Sequence, residues 1–147
     1  MTGFEPEPQV HELTLQPVAE NVRAARAFAV NALAGHATDD ETGEDFLDAA
    51  ATITSELVTN SFNAGAGLIR LTLLVGATSV TISVTDDATG VVSPAAHDVL
   101  ALSGRGLRIV ETLSRRWGVA EDPAGKRVWA ELQFPLEVDP WPAPTPR

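Results

Sequence analysis

The sequence predicts an α+β protein: a two-layer α/β sandwich whose mixed, mostly antiparallel sheet carries helices on one face. Two observations lead there. Helical and strand-like patterns follow the order β-α-α-β-β-loop-α-β-β, so helices are grouped and consecutive strands can pair as hairpins. The chain has 147 residues, 44% of them hydrophobic, which suits one packed core. Prolines break up both ends. The expected organisation is a flexible leader over residues 1–9, a single domain over 10–138 and a Pro-rich tail over 139–147.

Residues 10–15 read as a short strand. Residues 18–33 read as a helix, with Val22, Ala25, Phe28, Ala29 and Leu33 on one stripe and Pro17 suited to its first turn. Residues 35–43 read as a loop. Residues 44–64 carry the longest helical pattern, with Leu47, Ala50, Ile53, Leu57 and Ala64 near one side. Residues 68–75 and 78–85 are β-rich runs separated by Gly76-Ala77, which predicts an antiparallel hairpin. Residues 86–103 show no sustained period beyond a helical turn near 95–102. A loop of about 18 residues inside a compact domain is a pointer to a site. Residues 107–115 read as a short helix opened by Gly104 and Gly106. Residues 117–121 and 127–136 read as two strands joined by Asp122-Pro123-Ala124-Gly125.

Composition narrows the function. Lys and Arg number 10 against 20 Asp and Glu, a net charge of −10. That balance argues against general nucleic-acid binding, which needs clustered cations, and against anionic membrane surfaces. The absence of cysteine removes disulfides, thiolate nucleophiles and Cys-based metal sites. No apolar run has membrane-spanning length, and the first ten residues lack the basic and apolar regions of a signal peptide, so cytoplasmic residence is expected. His11, His36 and His97 lie far apart and lack zinc-ligand spacing. The acidic run from Asp39 to Asp48 reads as a solvated helix start.

Three segments can carry chemistry. Glu56 and Asn60 are four residues apart and Asn63 follows at i+7 from Glu56, so all three share a helix face bordering the apolar stripe. A carboxylate there suits a general base and an Asn oxygen suits Mg²⁺, although on spacing alone a merely solvated Glu on a helix flank is the commoner case. Asp86 and Asp87 end a β-rich run, with Gly90 following. A carboxylate at a strand end accepts from an exocyclic amine, but alone the pair reads as a turn. Ser103-Gly104-Arg105-Gly106-Leu107 leads into a helix, whose first amides and the Arg105 cation would face an anion. A lone G-x-G is a weak signal, and neither a P-loop nor a Rossmann fingerprint is present.

In this order the segments resemble the N, G1 and G2 boxes of the GHKL (Bergerat-fold) ATP-binding superfamily. Ser55-Glu56-Leu57-Val58-Thr59-Asn60 and Ser103-Gly104-Arg105-Gly106-Leu107-Arg108-Ile109-Val110 resemble the anti-sigma-factor serine/threonine kinases of the RsbW-like type. Trp117-Gly118-Val119 and Val128-Trp129-Ala130-Glu131-Leu132 are similar to the actinobacterial branch.

The resemblance implies ATP and Mg²⁺ as ligands, with Glu56 as general base and Asn60 holding the metal. It implies Asp86 on the adenine amino group and Gly104, Arg105 and Gly106 around the phosphates, with Asn63, Gly90 and Leu107 in the same nucleotide site. A sigma factor, an anti-sigma-factor antagonist and a homodimer are the implied partners. Two positions depart from the pattern: Ala64 stands where a His is frequent, and Ala88 replaces the first glycine of D-x-G-x-G. Three functions stay open on this reading: a kinase, a catalytically degenerate nucleotide-binding regulator, and an α+β interaction domain without nucleotide.

Overall fold

Alternation in two neighbouring strands defines the inner face of the sheet. β2 (Ile69–Val75) buries Ile69, Leu71, Leu73 and Val75 and exposes Arg70 and Leu74 between them. β3 (Ser79–Asp86) buries Val80, Ile82, Val84 and, at its end, Asp86. The register sets Val75 opposite Val80, Leu73 opposite Ile82 and Ile69 opposite Asp86, so both buried rows lie on one face. The expected hairpin closes with the Gly76 N–H donating to the Ser79 carbonyl at 2.8 Å.

The protein is described by a computed structural model covering residues 7–87, 104–122 and 125–136; for residues 104–106 and 122 only the backbone is described. β1 (Gln9–Leu15) adds to β2. β5 (Gly125–Gln133) adds to β3, and β4 (Arg116–Asp122) takes the far edge against β5. The result is a five-stranded sheet of order β1-β2-β3-β5-β4. Every pairing among the described residues is antiparallel.

α1 (Glu20–Leu33), α2 (Glu41–Asn63) and α3 (Gly104–Leu113) pack on the inner face. α1 buries Ala25, Ala29 and Leu33, one turn apart, and it packs against α2, with the small Ala25 and Ala29 keeping that stripe narrow. α2 buries Ile53, Leu57 and Val58 in the core it shares with β2, β3 and β5. The structure thus has the α+β two-layer form expected, with helices on one face.

On the opposite face Trp129 of β5 lies across Gly118 of β4. A Cβ at Gly118 would come within 2.8 Å of the indole, so glycine is what lets the ring lie flat there. Glu131 on the same face is buried, and its Oε2 accepts from Arg116 Nε at 2.8 Å and pairs with Arg116 Nη2 at 2.7 Å, fastening β4 to β5.

Two helices start earlier than their apolar patterns indicate. α3 begins at Gly104, so both glycines lie inside its first turn rather than before it. α2 begins at Glu41, because Asp40 is a true N-cap whose carboxylate accepts the Gly43 N–H at 3.0 Å and the Thr38 hydroxyl. Gly43 belongs to that first turn because the Thr38 backbone folds over it; a Cβ there would lie 1.8 Å from the Thr38 carbonyl oxygen. The Thr38 hydroxyl, then the Gly43 amide, holds the Asp40 carboxyl below its ordinary value of 3.8. A depressed carboxyl stabilises the fold above its unfolded pKa, and that contribution fades as pH falls through the folded one. Asp40→Ala is therefore expected to lower the melting temperature at neutral pH, with the gap to wild type closing below pH 3.8 in a pH series of thermal unfolding curves.

Candidate functional site

α2 carries the apolar stripe that packs on the sheet and, on its margin, the polar residues of the site. Glu56 is half-buried one turn before Asn60, Asn60 is buried, and Asn63 is exposed as the last residue of the helix. The Asn60 side chain is 4% exposed, and neither its Oδ1 nor its Nδ2 meets a hydrogen-bond partner among the described residues. Each unsatisfied buried group of this kind costs about 1–3 kcal/mol, so a native fold that keeps one calls for an external partner. A carboxamide offers a hard oxygen for a cation and an N–H for a phosphate oxygen.

Asp86 terminates β3 facing inward and is 1% exposed. Its Oδ2 accepts from Ser61 Oγ at 2.9 Å, and both residues are buried. Asp87, the next residue, is exposed, and its Oδ1 accepts the main-chain N–H groups of Gly67 and Leu68, each at 2.9 Å. The consecutive aspartates therefore divide two tasks. Asp87 clasps the loop between α2 and β2 to the end of β3, which is turn chemistry; Asp86 completes a strand and presents a carboxylate to the interior.

β5 approaches closely at this point. Gly125 has φ +145°, and a Cβ on it would lie 1.9 Å from the Asp86 carbonyl oxygen. Only glycine lets β5 begin there with Lys126 opposite Asp86 in register.

Ser61 was not among the residues singled out from the sequence. Its signal was present: position 61 continues the buried row Ile53, Leu57, and a hydroxyl at a core position needs a buried partner.

At the start of α3, Gly104, Arg105 and Gly106 form the first turn, where an α-helix leaves its leading N–H groups without intrahelical acceptors. The side chain of Arg105 and all of Gly90 lie outside the described residues. Leu107 is 8% exposed and belongs to the core, so its side chain anchors α3 and only its main chain is placed to meet a ligand. α2 packs against both β3 and α3, so Asn60 and Asp86 belong to elements in direct contact.

Among the described residues no group of three or more His, Cys, Asp or Glu could hold a metal ion. A cation at Asn60 would therefore share its coordination with water and substrate oxygens, which is the habit of Mg²⁺. The open groove between α1 and α2, about 680 Å³ and lined in part by Arg23, Arg26 and Asp48, shares no residue with this site.

The family model described as a histidine kinase-like ATPase domain matches residues 15–132. The chain belongs to this family. The match runs from the end of β1 to within one residue of the end of β5, so it spans α1, α2 and α3 and every candidate residue. No curated protein matches the chain. Among the described residues no helix of this histidine kinase-like ATPase domain is long and apolar enough to cross a membrane. Asn60, buried and without a partner among the described residues, lies inside the matched span.

A direct test exchanges Asn60 for an apolar residue of similar size. Asn60→Leu is expected to hold or raise stability in urea unfolding, within about 1 kcal/mol of wild type or above it, because the desolvated amide is gone. The same variant is expected to lose the rise in melting temperature that Mg²⁺-nucleotide gives the wild type.

Proposed function

We propose that the chain binds ATP with Mg²⁺, transfers the γ-phosphoryl group to a Ser or Thr hydroxyl of a small antagonist protein, and sequesters a sigma factor. This is the activity of the RsbW-like anti-sigma-factor kinases, actinobacterial branch included, that its motifs resemble. The observation that carries the reading is the Asn60 carboxamide, buried and unmatched on both polar atoms among the described residues, next in sequence to Ser61, which bonds Asp86.

In this reading Asn60 holds Mg²⁺, which supplies charge neutralisation on the phosphate oxygens. Asp86 accepts the exocyclic amine of adenine, and the Gly104–Gly106 amides with Arg105 meet the phosphates. Asn63 and Gly90 border the nucleotide. Glu56, half-buried one turn from Asn60, takes the proton of the attacking hydroxyl. Phosphoryl transfer needs positioning and charge stabilisation more than covalent chemistry, and these residues supply both. The protein would work as a cytoplasmic homodimer. Its net charge of −10 is in keeping with protein rather than nucleic-acid partners.

One observation favours a second reading, a nucleotide-holding regulator without catalysis. Ala64, which caps the C-terminus of α2, has no titratable group where the resembling kinases often place a His.

The two readings share one requirement and differ in another. ADP or ATP with Mg²⁺ must raise the melting temperature, since a ligand selective for the native state stabilises it by about 2.7 kcal/mol at a hundred times its Kd. An unchanged melting temperature at saturating nucleotide sinks both. For the kinase, Glu56→Gln is expected to keep nucleotide binding and lose phosphoryl transfer to the antagonist by about 10²–10⁴-fold, the usual contribution of a general base. Equal phosphorylation by the variant removes Glu56 from that role.

A further inference from the structure

The face of the sheet turned away from the helices has a pattern of its own, set by the register. Arg70 of β2, Thr85 of β3 and Arg127 of β5 are successive cross-strand partners on that face. Both arginines are exposed, and Thr85 is half-buried between them. No carboxylate among the described residues pairs with either guanidinium. Glu131, on the same face, is taken up by Arg116, and Asp87, just past the end of β3, by the Gly67 and Leu68 amides. Neighbouring strands lie about 4.8 Å apart, so the two arginines start about 9.5 Å from each other with a hydroxyl between them. They form a cationic clamp on a chain whose net charge is −10.

Apolar surface accompanies the clamp. Trp129, next after Arg127 on this face of β5, lies flat over Gly118 and is only half-buried. Val10 and Leu74, cross-strand partners farther along the face, are 55% and 41% exposed. An aromatic ring, exposed aliphatics and arginines together are the composition of a protein-binding surface.

We propose that this outer face docks a partner protein through a phosphorylated serine or threonine, with Arg70, Thr85 and Arg127 holding the phosphate. The surface lies across the sheet from the candidate nucleotide site, so the proposal does not rest on that reading. Charge and shape select the ligand. A phosphomonoester carries about −1.5 to −2 at neutral pH and has three strong acceptor oxygens, so it can take one guanidinium fork from each side and the Thr85 hydroxyl from below. A carboxylate has two coplanar oxygens, which a single fork satisfies. The openness of the face selects what carries the phosphate. A free small molecule binds where a cleft encloses most of its surface, and an open sheet face does not. The phosphate must therefore arrive on a body large enough to cover Trp129 and the Val10–Leu74 pair. Nucleic acid and anionic membrane are opposed by the overall charge, which leaves a protein.

The test titrates the full chain with a short fluorescent peptide bearing one phosphoserine between alanines and leucines, and with its serine and glutamate versions, by anisotropy. The phosphopeptide is expected to bind at least about tenfold tighter than either, since a charge-assisted hydrogen bond is worth roughly that factor. Arg70→Ala and Arg127→Ala, both changes of exposed side chains, are each expected to weaken it about tenfold, and Arg127→Lys, which keeps the charge and loses the fork, to fall between. Arg26→Ala, on the helix side of the molecule, is expected to leave it unchanged. A glutamate peptide bound as tightly as the phosphopeptide overturns the inference, because the face then reads negative charge alone. An equal loss in Arg26→Ala overturns it as general attraction to a cationic side chain. Binding that survives Arg70→Ala and Arg127→Ala puts the phosphate elsewhere, and a wild type that binds none of the three peptides removes the site.

Discussion

The hydrogen bond from Ser61 to Asp86 fixes how α2 is rolled against the sheet, and the site depends on that roll. Successive helix positions are about 100° apart, so a shift of one residue would carry Ser61 away from β3 and swing Asn60 toward solvent. Apolar packing of Ile53, Leu57 and Val58 tolerates some rolling, because hydrophobic attraction is not directional. A 2.9 Å contact between two buried polar atoms does not. It converts a broadly apolar interface into one rotational setting, in which Asn60 is enclosed and Glu56 sits at the margin.

That setting asks a good deal of the surrounding structure. A buried carboxylate and an unmatched carboxamide both oppose folding, and they must be offset by ordinary packing elsewhere. The inner rows of β2, β3 and β5 and the buried stripes of α1 and α2 supply that packing. Around Asp86 the backbone is tied from three directions. Asp87 clasps the Gly67–Leu68 amides, Gly125 lies against the Asp86 carbonyl, and Ile69 of β2 pairs with Asp86 in register. Farther out, Arg116 and Glu131 hold β4 to β5, so the strand that begins at Gly125 is itself anchored. The backbone at Asp86 is thus held by β2 and β5 and, through Asp87, by the loop between α2 and β2, which favours a defined orientation of the side chain.

The parts of the fold legible in the sequence were those with strong periodicity. The alternation in residues 68–75 and 78–85 and the spacing of Ile53 and Leu57 carry straight into β2, β3 and α2. Helix starts were harder, for a physical reason. α2 begins with a capped acidic turn that buries almost nothing, and α3 begins with two glycines, so neither start shows in an apolar pattern. Spacing alone brings Glu56 and Asn60 to one face, but it cannot say which of them is enclosed, because that depends on the roll of α2. The split between Asp86 and Asp87 was equally hidden. Both residues suit turns, and only the ladder continuing to Asp86 separates the inward carboxylate from the clasp. Ser61 escaped notice because small polar residues are common on helix flanks, and its importance lies in a partner 25 residues away.

The net charge of −10 is at odds with the anionic ligand of the proposed site, and distance resolves the conflict. Exposed charges more than about 8–10 Å away are largely screened at physiological ionic strength, so the acidic total has little say at the site itself. What matters there is the composition within a few ångströms. Residues 103–127 hold six basic groups against three acidic ones, but they are spread along α3 and the sheet: Lys126 stands opposite Asp86 with Glu121 beyond it, whereas Arg116 is paired with Glu131 at the other end of β5. The acidic run at the start of α2 lies toward the other end of a 23-residue helix from Asn60, about 18–30 Å of rise away, beyond the screening length. The chain can therefore be acidic as a whole while the end of β3 near Asp86 is governed by its own neighbours, Lys126 across the ladder and the first turn of α3, rather than by the total.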